Sequence, residues 1–320
     1  MQAYGRTISR DQLRPSEYGM GVASVVAAAA SFGLLGTLSV LAHEGGMAPS
    51  TFAALRAVVG AGVLAAVAGL GGEVSVGLGR LARREQLMLA VAIVANASLS
   101  LVLFTAYGAM AVTLVLAIYF TYPLLVAMAS VALGRERFTA FRVGGLALAL
   151  AGVALVLVGQ IGPGAHVSLL GVVCAAAAAV CQATYLVVSR SGYTRVPPVQ
   201  ATRLILFGGG LLAGVVAVAL DLPSGRLLGW VASPQAWACV LVAGTLCAAF
   251  AKVCLLRGVR RVGGTRTAVL MLGEPVIGAA VAALALGQQL TPAAAVGGAA
   301  ILVAAALVQR PSTKPAARRV

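Results

Sequence analysis

Ten apolar runs of roughly twenty residues each, separated by short segments rich in Gly, Pro and Arg, account for most of this 320-residue chain. A helix needs about that length to cross roughly 30 Å of hydrocarbon at about 1.5 Å per residue. The runs fall near residues 19–41, 49–71, 86–107, 110–132, 142–160, 167–189, 198–220, 235–256, 264–286 and 292–309. Gly45-Gly46 with Pro49, Gly162-Pro163-Gly164, Pro197-Pro198, and Gly287 before Pro292 mark the joints. The runs are unbroken, whereas a membrane barrel alternates apolar and polar residues over about ten positions. Composition agrees: 61% of residues are apolar and 10% charged, with a mean hydropathy of +1.01, whereas soluble domains carry about 25% charge. The expected fold is therefore an all-α integral membrane protein of about ten transmembrane helices. The basic N-terminal stretch precedes a run too long for a secretory signal of roughly 7–15 apolar residues, so it reads as a retained first helix.

A net charge of +15 invites the thought of nucleic acid. Nucleic-acid-binding domains, however, gather Lys and Arg on one face among many other charges, whereas these lie between apolar runs, as in cytoplasmic loops. No nucleic-acid partner is expected. Basic residues occupy the N-terminal tail (Arg6, Arg10, Arg14) and alternate connections: Arg80, Arg83 and Arg84; Arg135, Arg137 and Arg142; Arg190 and Arg195; Arg257, Arg260, Arg261 and Arg266. The C-terminal tail adds Arg310, Lys314, Arg318 and Arg319, while the intervening connections hold only Arg226. By the positive-inside rule both termini face the cytoplasm across the plasma membrane, which requires an even number of spans.

The chain also repeats itself. At an offset of 147, residues 25–30 (VVAAAA) meet 172–177 (VVCAAA), Thr37 meets Thr184, and Arg56 meets Arg203; YPLLVAMASVALG (122–134) is similar to EPVIGAAVAALALG (274–287). Each copy holds five spans. An odd-numbered module copied in tandem enters the membrane upside down, and the basic connections shift by one place between the halves, as that requires. The organisation read from this is a tail (1–18), a first five-helix repeat (19–160), an inverted second repeat (161–309) and a basic C-terminal tail (310–320). Inverted repeats around a midplane site are a common basis of alternating access.

TFAALRAVVGAG in the second span, IYFTYPLLVAMASVALGRERFTAFRVGGLALALAGVALVLVG across the fourth and fifth, and MLGEPVIGAAVAALALGQQLTPAAAVGGAAILVAAALV across the ninth and tenth resemble the EamA-like family of the drug/metabolite transporter superfamily. The resemblance covers about residues 19–309. It implies a solute carrier, more readily an exporter of amino acids or related metabolites and drugs than an importer; related branches imply as an alternative a flippase for a lipid-linked or nucleotide-linked sugar. The family's Gly closely followed by Glu is kept at Gly134-Arg135-Glu136 and replaced by Gly287-Gln288-Gln289.

Charges inside spans are costly and usually face a cavity or a partner. Glu274 stands near the middle of the ninth span before Pro275, which removes a backbone donor and frees a carbonyl one turn earlier. Glu274 is expected to line a central cavity and take up a proton or a cationic part of the solute; pairing with a neighbouring basic residue is the structural alternative. Tyr122 aligns with it across the repeat. Arg56 and Arg203, matched by the repeat, sit near opposite entrances, where each either binds an anionic group or snorkels to the headgroups. Asn96, Tyr119, Gln182 and Tyr185 are candidate hydrogen-bonding groups in the cavity, with interhelical bonding as the competing role. Lys252 near the inner end of the eighth span reads as an anchor, and Trp230 and Trp237 as interfacial anchors. The five cysteines read as packed small hydrophobes. His43 and His166 read as solvated loop residues.

No CxxC or Cys/His spacing points to a metal, no GxxxxGK[ST] to ATP drive, and no clustered His, Asp or Cys at a membrane face to an enzyme. No cofactor is expected. The expected partners are a small-molecule solute, a coupling proton or ion and the lipid bilayer, with monomer or homodimer left open.

Overall fold

The computed structural model describes residues 15–71, 75–110, 112–135, 140–158, 167–222, 228–286 and 291–309. The residues 1–14 with their three arginines, Glu136, Arg137, Gly162-Pro163-Gly164, His166, Arg226, Gly287-Gln288-Gln289 and the C-terminal basic tail lie outside them, as does the side chain of Arg142. Among the described residues every regular element is helical. In chain order these are α1 (Pro15–Glu44), α2 (Pro49–Leu70), α3 (Arg83–Ala109), α4 (Val112–Tyr119), α5 (Tyr122–Ala132), α6 (Ala140–Val158) and α7 (Leu169–Ser191). They continue with α8 (Pro198–Asp221), α9 (Pro234–Val242), α10 (Ala251–Val262), α11 (Gly264–Met271), α12 (Glu274–Leu286) and α13 (Pro292–Gln309). Eight residues of π-helix, Ala243–Phe250, join α9 to α10, so the eighth span runs on to Val262. Eight helical stretches are long and apolar enough to cross a membrane, and shorter apolar helices at Val143–Val158 and Pro292–Leu307 bring the spans to ten.

Local chemistry sets the ends. Pro49 and Pro198 open α2 and α8, where the missing N–H costs nothing. Ser168 and Ser233 accept hydrogen bonds from Gly171 N and Ala236 N at the starts of α7 and α9. Gly46 and Gly263 take the tight turns after α1 and α10 at φ +87° and +92°, a region closed to most side chains. The fourth span is broken between α4 and α5 and the ninth between α11 and α12, in each case just before a proline (Pro123, Pro275) that cannot continue the helical ladder. Tyr122 and Glu274 are thus the first residues after equivalent breaks.

Packing follows the repeat. The second span lies along the seventh (α2 on α8) and the fifth along the tenth (α6 on α13), each beside its own repeat mate. The remaining close pairs exchange between halves: α1 packs along α10, and α7 along α3. At the α6–α13 crossing a Cβ on Gly152 would stand 2.7 Å from Gly297 O, and one on Gly297 2.5 Å from Gly152 O. Two glycines at one crossing let the backbones meet, as small residues do in membranes.

The basic segments gather at one end of the bundle. Arg195 pairs with Glu85 at 3.8 Å. Arg260 donates to Tyr193 O and Val196 O at 3.0 Å each; Arg135 donates to Val187 O at 3.2 Å, and Arg266 lies over the Tyr18 ring. Burial, with the nearby Arg190 and Arg84 guanidiniums, holds Arg135 below the ordinary arginine range. At the same end burial pushes the Tyr193 phenol up to about 12, against the opposing effects of its bond to Ser189 and the Arg260 charge, so it is neutral at ordinary pH. At the other end Ser50 and Thr51 donate to Asp221 Oδ2 at 2.5 and 2.8 Å, and Trp230 is 5% exposed against Met47 and Phe52. The expectation that Trp230 anchors in the interface is corrected by this packing: it fills a small core, while Trp237, 42% exposed, meets it edge-on at 4.8 Å.

Candidate functional site

The two helix breaks and the π-helix bring their polar residues to one place inside the bundle. From α10, Lys252 donates through Nζ to Asn96 Oδ1 on α3 at 2.5 Å and stands 5.3 Å above the Tyr185 ring of α7. Glu274, opening α12, is near enough for its charge to act on Lys252, Tyr122 and Cys247. Arg56 on α2 acts in turn on Lys252 and Cys247. The cluster thus draws one element from each of the second, third, fourth, sixth, eighth and ninth spans, with both halves contributing.

No described residue makes a hydrogen bond or ion pair to the Glu274 carboxyl. A carboxylate at this depth without a partner is costly, and such groups persist where they meet a ligand or a proton. Gly33 of α1 packs directly on its backbone: a Cβ there would stand 3.1 Å from Glu274 O and 2.9 Å from Ile277. Across the site Tyr122 is 1% exposed and stacks at an angle on Tyr119, with ring centres 5.4 Å apart, while Phe120 lies 6.4 Å from it. Tyr185 is 1% exposed, with Ser189 one turn further along α7 on the side of its hydroxyl. Gln182 is buried three residues earlier on α7.

Of the residues singled out from the sequence, Glu274, Tyr122, Arg56, Asn96 and Tyr185 meet in this cluster, Tyr119 borders it through Tyr122, and Gln182 shares the buried side of α7. Arg203 stands apart, in an open groove between α2 and α8. Its repeat mate Arg56 is drawn inward, so the two arginines have separate surroundings. Lys252 is not the anchor expected. Because the eighth span continues to Val262, ten residues separate it from the helix end, about 15 Å of rise, and its ammonium is held by Asn96. Cys247 lies in the π-helix and donates through Sγ to Ser31 O at 3.0 Å. π-turns inside α-helices recur at functional sites. A Lys in an apolar span carried a signal for the first of these; the Ala- and Gly-rich text of residues 243–250 carried none for the second.

Among the described residues, eight membrane-length helical stretches and two shorter apolar helices in two related halves define a multi-pass membrane protein. The chain matches the EamA-like transporter family over residues 19–158 and 169–310 and belongs to it. Membership makes it a membrane transporter of small solutes, with one family unit per half. No curated protein matches it. A solved structure described as "Crystal structure of protein" shares the fold at a TM-score of 0.76 and 22% identity, covering 93% of this chain and 98% of that one.

Proposed function

We propose that the protein is a secondary carrier exporting amino acids or closely related small metabolites by alternating access around the Glu274–Lys252–Arg56 cluster. The observation that carries this reading is a carboxylate to which no described residue donates a hydrogen bond, set at the break of the ninth span within electrostatic reach of Lys252. A zwitterion fits such a site: its ammonium replaces the missing partner of Glu274, and its carboxylate meets Lys252 or Arg56. When the site is empty, a proton on Glu274 serves the same end, which couples solute release to proton uptake. The charges stand within the bundle instead of along its lipid-facing side, which favours a water-soluble solute over a lipid-linked sugar.

The test is efflux of radiolabelled amino acids from cells or proteoliposomes with wild type and Glu274→Gln at matched expression. The variant is expected to lose at least tenfold in rate, on the order of 1.4 kcal/mol, and to lose the dependence of rate on pH. An unchanged rate with an unchanged pH profile rejects the coupling role.

A further inference from the structure

The groove that holds Arg203 lies apart from the central cluster. It is an open cleft of about 910 Å³ between α2 and α8, floored by Ala61, Gly62 and Ala65 on one side and by Gly210 and Gly214 on the other. Its walls, Phe207, Leu211, Val215 and Val218, are 50–64% exposed and so face outward from the bundle. Arg203 is the charged residue among those lining it, and no described residue makes a hydrogen bond or ion pair to its guanidinium.

The order of these residues along α8 gives the groove a direction. Arg203 lies five residues from Pro198, at the end where Arg195, Arg260 and Arg135 gather. From Arg203 to Val218 the apolar channel runs fifteen residues further, about 22 Å, against a leaflet depth of roughly 15 Å, half the hydrocarbon core. A cation near the interface with an apolar channel leading inward matches an anionic head on a long chain. The fold itself holds the channel's walls in place. Its ends are clasped, since Ser50 and Thr51 hold Asp221 and the Gln200 amide bonds Val76 N and O at 2.9 and 2.7 Å. Its space comes from glycine, because a Cβ on Gly62 or Gly214 would meet nothing within 4 Å.

We infer that this groove binds one anionic phospholipid of the surrounding bilayer, with its phosphate on Arg203 and an acyl chain laid over Gly62, Gly210 and Gly214 towards Val218. The site is separate from the central cluster and goes beyond solute transport.

Native mass spectrometry of the purified full chain, titrated with phosphatidylglycerol or phosphatidylcholine, tests it. Wild type is expected to hold one phosphatidylglycerol about fivefold more tightly than phosphatidylcholine, the preference one surface arginine confers, and R203Q to lose that preference. Gly214→Leu, whose Cβ meets nothing within 4 Å and whose longer side chain occupies the channel, is expected to weaken both lipids. Equal phosphatidylglycerol binding by wild type and R203Q, or no effect of Gly214→Leu, overturns the proposal. So does a shift from dimer to monomer in Gly214→Leu without change in lipid binding, which would assign the groove to a second copy of the chain.

Discussion

A lysine ten residues from the end of a membrane helix cannot reach water with its four-carbon stem, so its ammonium must be satisfied inside the protein. Lys252 is satisfied by Asn96 and by the face of Tyr185. Lys252→Met removes the charge and keeps the stem. It is expected to abolish solute efflux at least tenfold with unchanged expression and detergent elution profile; efflux at the wild-type rate would return the residue to a packing role. Asn96→Ala is expected to act in the same direction and less strongly, since Tyr185 still contacts the cation, and the same efflux assay ranks the two. At this scale the sequence was informative where a residue announced its own cost. Glu274 stood out beside Pro275 in an apolar run, and Tyr122 followed from the repeat. Lys252 was misassigned because hydropathy ended the eighth span at 256, six residues before the helix ends. Trp230 was misassigned because amphipathic rings at span ends are read as anchors, and nothing in one sequence tells which of two tryptophans turns inward to Met47 and Phe52.

Ten elements were readable from run length, and their breaks were not. Residues 112–132 and 264–286 are mostly apolar around their breaks, so a helix and a broken helix leave much the same trace there; only the placing of Pro123 and Pro275 hinted at a disruption. The crossing of α6 and α13 gives a test at this scale. Gly297→Val places a side chain against Gly152 O and Val156 N, backbone atoms that cannot swing aside. It is expected to destabilise the bundle by about 1–3 kcal/mol, read as a lower melting temperature in detergent. Gly144→Ala is the control, as its Cβ meets nothing within 4 Å and its melting temperature is expected to stay put. Equal melting of all three proteins would remove the crossing from the list of what holds the halves together.

For the molecule as a whole, the run of charges along the sequence becomes a geometric fact: the starts of α3, α8 and α11 and the ends of α5, α7 and α10 lie at one end of the bundle, bound across the halves by Arg195–Glu85 and Arg135–Val187. By the positive-inside rule we propose that this end is cytoplasmic. On a cysteine-free background, Arg83→Cys and Arg257→Cys are expected to resist a membrane-impermeant maleimide applied to intact cells, and Leu228→Cys to react. The reverse pattern would turn the molecule over. The opposite end is also bound across the halves, by Gln235 on Leu41 O and by the Asp221 clasp, so opening either end means breaking bonds that belong to that end alone.

The stretch Ala243–Phe250 winds more loosely than the rest of its span, while the corresponding third span, α3, is ordinary helix from Arg83 to Ala109. A duplicated machine with one slack turn on one side only is no longer reversible by rotation. Under the alternating access proposed above, its two poses differ in free energy even with nothing bound, so the idle protein is expected to rest open to one compartment more than to the other, and the gradient of solute would act on a mechanism that already leans.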